Sequence, residues 1–352
     1  DLTMDNLVYS LQRVGGASTY WSKLLEAFDE DPDIALTVVE RDDALFNLER
    51  QKIEVHSPVI PSRFGNLRLD EVSSLRREGP GVFHSSYFRY ATSPEKKNVT
   101  TIHDFISAHY FKGFVRLFSL WQMRRAILNS SGIICISEST KRDMRSIIPE
   151  SSGVPTKVIY HGVNSDDFFL PEEDARPCVQ EQAVFIGNRG VSYKNFELAV
   201  DSVAFNGGVK LKVIGAPLTD DERTLLDSRL SGRYEVAEYP SSREIGEIFS
   251  QSLCVLYLSE YEGFGMPVLE AMSSGAPVIA MDKSSIPEVA GEAGILLENS
   301  SCEAVSRAID SLRYDPKKFE EYRAHGLVQA SKFTWERCIA QTKDFYAEVY
   351  GL

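Results

Sequence analysis

The sequence predicts an α/β protein of two domains, each built on a parallel sheet. Three observations predict it. The chain has 352 residues, 43% of them hydrophobic, which is enough apolar material for two ordinary cores. Short β-branched runs, turns and helix-period segments alternate along it, the pattern of βαβ units. The pattern occurs twice, on either side of "NSDDFFLPEEDARP", residues 164–177, where polar and acidic residues gather with two prolines. The boundary is therefore placed there, giving domains over 1–165 and 166–334, with a closing helical segment over 335–352.

In the first half, "LTMDN", "VFHSS", "NVTTIHDF" and "GIICIS" read as strands, and "GASTYWSKLLEAF" and "FVRLFSLWQMRRAIL" as helices. "DPD" at 31–33 sits where a helix ends at a proline and is assigned to a turn rather than to a metal site. In the second half the strands are "AVFIGN", "VKLKVIG", "YEVAEY", "CVLYLS", "PVIAM" and "GILLE". They alternate with the helical segments "NFELAVDSVAF", "REIGEIFSQ" and "MPVLEAM". The last segment, "TWERCIAQTKDFYAEVY", opens at Thr334, an N-cap residue type, and is expected to pack back on the first domain.

Charge narrows the partners. Against 51 acidic side chains stand 38 basic ones, a net −13, which argues against a nucleic-acid binder because phosphate backbones call for a basic surface. Residues 1–165 are balanced at 20 of each sign, so 166–352 carry the whole excess. Within the first half, 62–145 hold 14 basic and 7 acidic groups, a local excess suited to an anionic surface or simply to a solvated face. The five cysteines, Cys135, Cys178, Cys254, Cys302 and Cys338, are scattered and odd in number, so neither a disulfide framework nor a zinc site is expected. A reducing, cytoplasmic setting follows, and no run approaches the roughly 20 apolar residues of a membrane span.

In open parallel sheets, ligands bind beyond the C-terminal ends of strands, so the informative residues are those directly after them. "SEYEGFGMPVLEAMSSGAPVI", residues 259–279, follows the strand "CVLYLS". Glu262 lies on a glycine-rich loop with Gly263 and Gly265. Pro267 suits the first turn of a helix, and Glu270 falls in its opening turns. Free N–H groups at such a helix start, with Gly263 and Gly265 allowing close approach, can receive an anion or a ring hydroxyl. Two carboxylates flanking them suit neutral hydroxyls on either side of an anion, the layout of sugar, diphosphate and second sugar. The plain alternatives are a helix-dipole acid for Glu270, worth about 0.3–1 kcal/mol, and a solvated loop charge for Glu262. Arg189 and Lys194 in "FIGNRGVSYKN" follow a strand and precede a helix, where two cations reach a shared diphosphate or stand in solvent. Gly15 and Gly16 open the helix "ASTYWSKLLEAF" and suit either phosphate approach or a turn. His103 ends a strand, and Asp104 beside it either orients it or caps the next turn. No GxGxxG fingerprint is present, which argues against a nicotinamide cofactor.

"EGFGMPVLEAMSSGAPVIA" resembles the E-x7-E region of retaining family-4 glycosyltransferases, enzymes of the GT-B fold with two facing Rossmann-like domains and an interdomain cleft. Further landmarks follow in order: "GGASTY", "TIHDF", "ISEST", "VIYHGVN", "GNRGVSYKN" and "SSIPEVAGEAGILL". The resemblance implies a nucleotide-sugar donor in the second domain and a glycan or lipid-linked glycan acceptor on the first, without a metal. Glu270 is implied to hold ribose hydroxyls, Glu262 the sugar, the backbone amides from Phe264 to Met266 the sugar or phosphate, Arg189 and Lys194 the diphosphate, and His103 the region of the anomeric carbon. His161 reads as hinge-side structure, and Asn164 stands where relatives often carry aspartate. "GNRGVSYKN" and "KSSIPEVAG" are most similar to mannosyltransferases of bacterial surface polysaccharide, which implies GDP-mannose and an O-antigen-like product. UDP- or dTDP-sugar donors, and a non-catalytic nucleotide-sugar-binding subunit, are the alternatives. The basic aromatic segment 111–129 reads either as a core helix with a wet face or as a surface for the inner face of a membrane.

Overall fold

A computed structural model of the chain describes residues 1–62, 79–172 and 179–351. They divide into two units, Asp1–His161 with Trp335–Leu352, and Gly162–Thr334. Residues 173–177 of the expected connection, and Cys178, lie outside the described residues.

Unit 1 runs β1 (Leu2–Asp5), α1 (Leu7–Leu11), α2 (Gly16–Asp29), β2 (Leu36–Glu40), β3 (Val59–Pro61), β4 (Gly81–Ser85), β5 (Lys96–Ile102), α3 (Ile106–Tyr110), α4 (Gly113–Leu128), β6 (Gly132–Cys135), α5 (Glu138–Ile147) and β7 (Thr156–Val158). Among the described residues these strands form a seven-stranded sheet in the order β3-β2-β1-β4-β5-β6-β7, paired in parallel throughout. Strands covered on both faces read as unbroken buried runs rather than alternating ones, as β1 and β4 do here. Three strands escaped the sequence reading because they are short and incompletely buried. β2 is five residues, and β3 and β7 are three-residue edges, β3 closing on Pro61 where an edge tolerates it. α5 begins at Ser137, whose hydroxyl accepts the Thr140 N–H at 3.0 Å.

Unit 2 runs β8 (Gln180–Ile186), α6 (Phe196–Phe205), β9 (Lys210–Gly215), α7 (Asp220–Leu230), β10 (Tyr234–Glu238), α8 (Ser242–Ser250), β11 (Ser252–Tyr257), α9 (Met266–Ser273), β12 (Val278–Met281), α10 (Ile286–Ala290), β13 (Gly294–Leu297), α11 (Cys302–Arg313) and α12 (Pro316–Ala330). Its six described strands form a parallel sheet in the order β10-β9-β8-β11-β12-β13. A core of Phe185, Leu211, Val213, Leu256, Ile279 and Ile309 lies between the sheet and α6, α7 and α11. α7 and α8 start with capping boxes, Thr219 with Glu222 and Ser241 with Glu244. α7 buries only Leu226 and Leu230, and this thin apolar stripe hid it from periodicity.

The chain then returns to unit 1 as α13 (Trp335–Tyr350), which packs on α2, β4 and β5. Its fit is tight at β6. A Cβ on Gly132 would stand 2.9 Å from the Phe345 ring and 2.5 Å from a Val349 methyl, so only glycine admits the helix there. No described helix is long and apolar enough to cross a membrane.

Candidate functional site

In each sheet the strand order reverses beside the first strand, between β1 and β4 and between β8 and β11. Such switch points open crevices at the strand C-termini. In unit 2 the loops leaving β8 and β11 are laced together. Asn195 takes a left-handed backbone (φ 54°), and its side-chain amide donates to the Leu258 carbonyl at 2.8 Å and to Glu260 at 3.3 Å. The Glu260 N–H donates to the Tyr193 carbonyl at 2.8 Å. This lacing brings the Lys194 ammonium onto the Glu262 carboxylate in a direct ion pair. The same ammonium lies 5.4 Å from the centre of the Tyr257 ring and 5.7 Å from that of Tyr193. Burial, and then the Glu262 charge beside it, hold the Tyr257 phenol protonated well above its ordinary range.

Glu262 itself is 8% exposed. Its N–H donates to Ser284 Oγ at 2.9 Å, and its carbonyl accepts from Ser285 Oγ at 2.9 Å. Gly263 and Phe264 lead on to Gly265, whose φ of 106° is open to glycine without strain. Met266 and Pro267 begin α9. Glu270 lies in the second turn, with no acid in the first, so a helix-dipole role does not account for it. Burial, and then the nearby Asp167 charge, push its pKa up to about 7. Asp167 accepts the Asn164 amide at 2.7 Å, which gives Asn164 a structural task in this turn. Gly246 in α8 makes room for the turn, since a Cβ there would collide with the Asp167 carbonyl. A glycine in mid-helix is otherwise costly, and that cost was the signal in the sequence.

The structure does not bring Arg189 and Lys194 onto one partner. Arg189 pairs with Glu222 at 3.0 Å and donates to the carbonyls of Ala216 and Pro217 at 2.7 and 2.9 Å, tying the β8 loop to the start of α7.

In unit 1, Gly15 is the N-cap of α2, and its carbonyl accepts the Ser18 hydroxyl at 2.8 Å; Gly16 is the first helical residue. His103 follows β5 directly, and Asp104 caps the next turn, accepting the Ile106 N–H at 2.9 Å. His103 belongs to an aromatic cluster the sequence did not disclose. The buried Tyr20 ring meets His103 edge-on at 5.4 Å and stacks on His161 at 4.8 Å, and His161 stacks on Trp335 at 5.8 Å. The Tyr20 hydroxyl reaches Thr101 Oγ1 at 3.1 Å, which His84 Nε2 shares at 2.8 Å. His84 Nδ1 meets the Tyr346 hydroxyl at 2.5 Å. Burial lowers the pKa of His103 to about 4 and that of His84 to about 3, and lowers that of His161 well below the ordinary histidine range. All three rings are neutral at pH 7.

The unit 1 switch point holds an ion pair of a different kind. Arg89 donates to both oxygens of Asp5, at 2.6 and 2.8 Å, with side chains 3% and 1% exposed. Among the described residues no cluster of three or more His, Cys, Asp or Glu could hold a metal. Burial pushes the Cys135 and Cys338 thiols up to about 12, which disfavours the thiolate in both.

Comparison with known proteins gives two family matches. Residues 14–167 match the model described as Glycosyltransferase Family 4, and residues 173–326 the one described as Glycosyl transferases group 1. Over 108 residues the chain is 38% identical to O-antigen chain mannosyltransferase B of Escherichia coli, a match spanning 31% of this chain and 28% of that protein. In fold it is similar over 99% of both chains to the sucrose-phosphate synthase of Thermosynechococcus elongatus, with a TM-score of 0.77 at 18% identity. Anabaena HepE in complex with UDP-glucose gives a TM-score of 0.71 at 16% identity, again over 99% of both chains. The two parallel sheets with their helices are those of the GT-B fold.

Proposed function

The chain belongs to glycosyltransferase family 4, and on that premise we propose that it is a retaining transferase. It moves a hexose from a nucleotide-sugar to a glycan or lipid-linked glycan. The observation that carries the proposal is the Lys194–Glu262 pair joining the two loops at the unit 2 switch point, with Glu270 in the second turn of the helix that follows. Unit 2 takes the donor. Glu270 accepts ribose hydroxyls, Glu262 accepts sugar hydroxyls, and the backbone from Phe264 to Met266 contacts sugar or phosphate. Lys194 exchanges Glu262 for the diphosphate, and Arg189 joins it by leaving Glu222 and the carbonyls it now holds. Two cations on the departing diphosphate lower the barrier where charge develops.

Unit 1 takes the acceptor, and the family resemblance assigns His103 to the sugar and Gly15 and Gly16 to phosphate. A neutral ring that can accept or donate a hydrogen bond suits a carbon gaining positive character better than an imidazolium would. The bond from the anomeric carbon to the phosphate oxygen breaks, the bond to the acceptor oxygen forms on the same face, and the leaving phosphate takes the acceptor proton. No enzymatic base is then required.

GDP-mannose is the first donor, supported by the identity to the E. coli O-antigen mannosyltransferase. UDP-glucose, bound by HepE in its complex, is the second. A thermal-shift screen with GDP, UDP, dTDP and their sugars tests the site, since a ligand at 100 times its dissociation constant adds about 2.7 kcal/mol. Selective stabilisation by GDP compounds, lost in Lys194→Ala, is expected. Stabilisation without turnover on any acceptor would favour a nucleotide-sugar-binding subunit.

A membrane-facing role for unit 1, on the cytoplasmic side, has its own support. Along α4, Phe114, Val115, Leu117 and Trp121 are 78, 59, 65 and 45% exposed. Phe114, Phe118 and Trp121 stack in series at 5.9 Å, with Lys112 and Arg116 among them. Aromatic rings beside cations suit an anionic bilayer surface. Phe114→Ser with Leu117→Ser is expected to abolish co-flotation with phosphatidylglycerol vesicles, and unchanged flotation would remove the membrane from the proposal.

A further inference from the structure

We propose that Ser284 and Ser285, on the turn between β12 and α10, are positioning residues that set the backbone of the acidic loop around Glu262. The inference rests on the reading of Glu262 as the sugar-facing acid. Ser284 has a φ of 50°, in the left-handed region where glycine sits without strain and a residue with a Cβ does not. A serine kept at such a place needs a reason in its side chain. Its Oγ supplies one by accepting the Glu262 N–H.

Ser285 stands at the N-cap of α10, where a serine hydroxyl ordinarily accepts from the helix's own N–H groups. Here it makes no such bond. The fully buried hydroxyl turns back instead and shares its proton between the Glu262 and Phe264 carbonyls, each at 2.9 Å. Two adjacent residues therefore hold the loop on both sides of Glu262 and across Gly263. With Gly263 and Gly265 in it, that loop would sample many conformations unheld. Lys194 and Tyr257 fix the carboxylate end of Glu262, while the serines fix its backbone end.

Ser284→Gly separates positioning from stability. Glycine relieves the left-handed backbone, so the melting temperature should hold or rise, yet the tie to Glu262 is gone. Ser285→Ala removes the other two bonds. Amide exchange over 259–266, followed by mass spectrometry, is expected to quicken about tenfold in both variants while exchange in β8 and β11 is unchanged. With GDP-mannose and UDP-glucose as donor probes, kcat should fall about tenfold in Ser285→Ala and about threefold in Ser284→Gly. Dissociation constants for GDP and UDP should stay within about twofold. Unchanged exchange in both variants, or activity that falls only in step with melting temperature, would overturn the proposal. Glu262→Gln is run beside them. If it turns over like the unaltered chain, the sugar role of Glu262 fails, and exchange alone decides whether the serines hold the loop.

Discussion

The two switch points place an ion pair at the same topological position and treat it in opposite ways. Asp5, at the end of β1, is gripped by Arg89, four residues past β4, in a bidentate pair 1% and 3% exposed. Lys194, past β8, meets Glu262, past β11, with side chains 15% and 10% exposed and two tyrosine rings around the ammonium. A sealed pair cannot trade partners without leaving a bare charge in a low-dielectric interior. A partly exposed pair is less constrained, and in the proposed function an incoming anion replaces the carboxylate as it leaves. The same chemical unit is thus sealed as a strut in unit 1 and left partly exposed in unit 2, where the proposed function makes it a binding element. The surroundings follow suit. Unit 1 lines the ends of its strands with neutral, desolvated histidines, and unit 2 with carboxylates.

Four substitutions or conditions press on that contrast. The largest effect is expected from Arg89→Ala, which strands Asp5 and should cost unit 1 about 3–5 kcal/mol. All three tryptophans, Trp21, Trp121 and Trp335, belong to unit 1, so urea unfolding followed by intrinsic fluorescence reads it directly. A loss under about 1 kcal/mol would mean the pair is not the strut described. Lys194→Ala should do the reverse, leaving the urea transition of unit 2, followed by far-UV circular dichroism, in place while lowering kcat/KM for the nucleotide-sugar about 10²–10³-fold. Loss of stability without loss of turnover would erase the distinction. Gly132→Ala should cost unit 1 about 1–3 kcal/mol by pressing on Phe345 and Val349, with nucleotide affinity unaltered.

The smallest and most diagnostic effect is in pH. The unfolded chain takes up protons on His84 and His103 near their ordinary value of 6.5, whereas the folded chain holds them neutral down to about 3 and 4. Unit 1 should therefore lose stability as pH falls below about 6.5. Glu270 runs the other way. Folding raises it from 4.5 to about 7, so its contribution is present below 4.5 and is lost as pH rises through 7. The contact with ribose hydroxyls proposed for Glu270 would favour its ionised form, so nucleotide affinity, measured by calorimetry between pH 6 and 8, should rise across that range and become flat in Glu270→Gln.

Much of this was legible from residues that must lie where they lie. The strands "CVLYLS" and "AVFIGN" were plain because both faces are buried, and the loops after them could be picked out by position alone. Glu262, Lys194 and Glu270 were singled out as candidates that way. What stayed hidden depends on partners distant in sequence. Tyr257 looked like one more apolar strand residue until Lys194 and Glu262 stood beside it. Asp167 and Gly246 are 79 residues apart and meaningful only in contact. Ser284 and Ser285 announce nothing by type, since the left-handed backbone and the diverted cap are properties of the fold. The histidine cluster is illegible for the same reason: Tyr20, His84, His103, His161 and Trp335 come from five separate segments.

The return of α13 to unit 1 has a temporal meaning. Residues of unit 2 form one continuous stretch, while unit 1 is completed by the last helix of the chain, whose Tyr346 hydroxyl closes on His84 and whose Phe345 covers Gly132. On the ribosome, at about 5–20 residues per second, the unit encoded first is therefore finished last. Its β4 and β5 surfaces wait uncovered while all of Gly162–Thr334 is made.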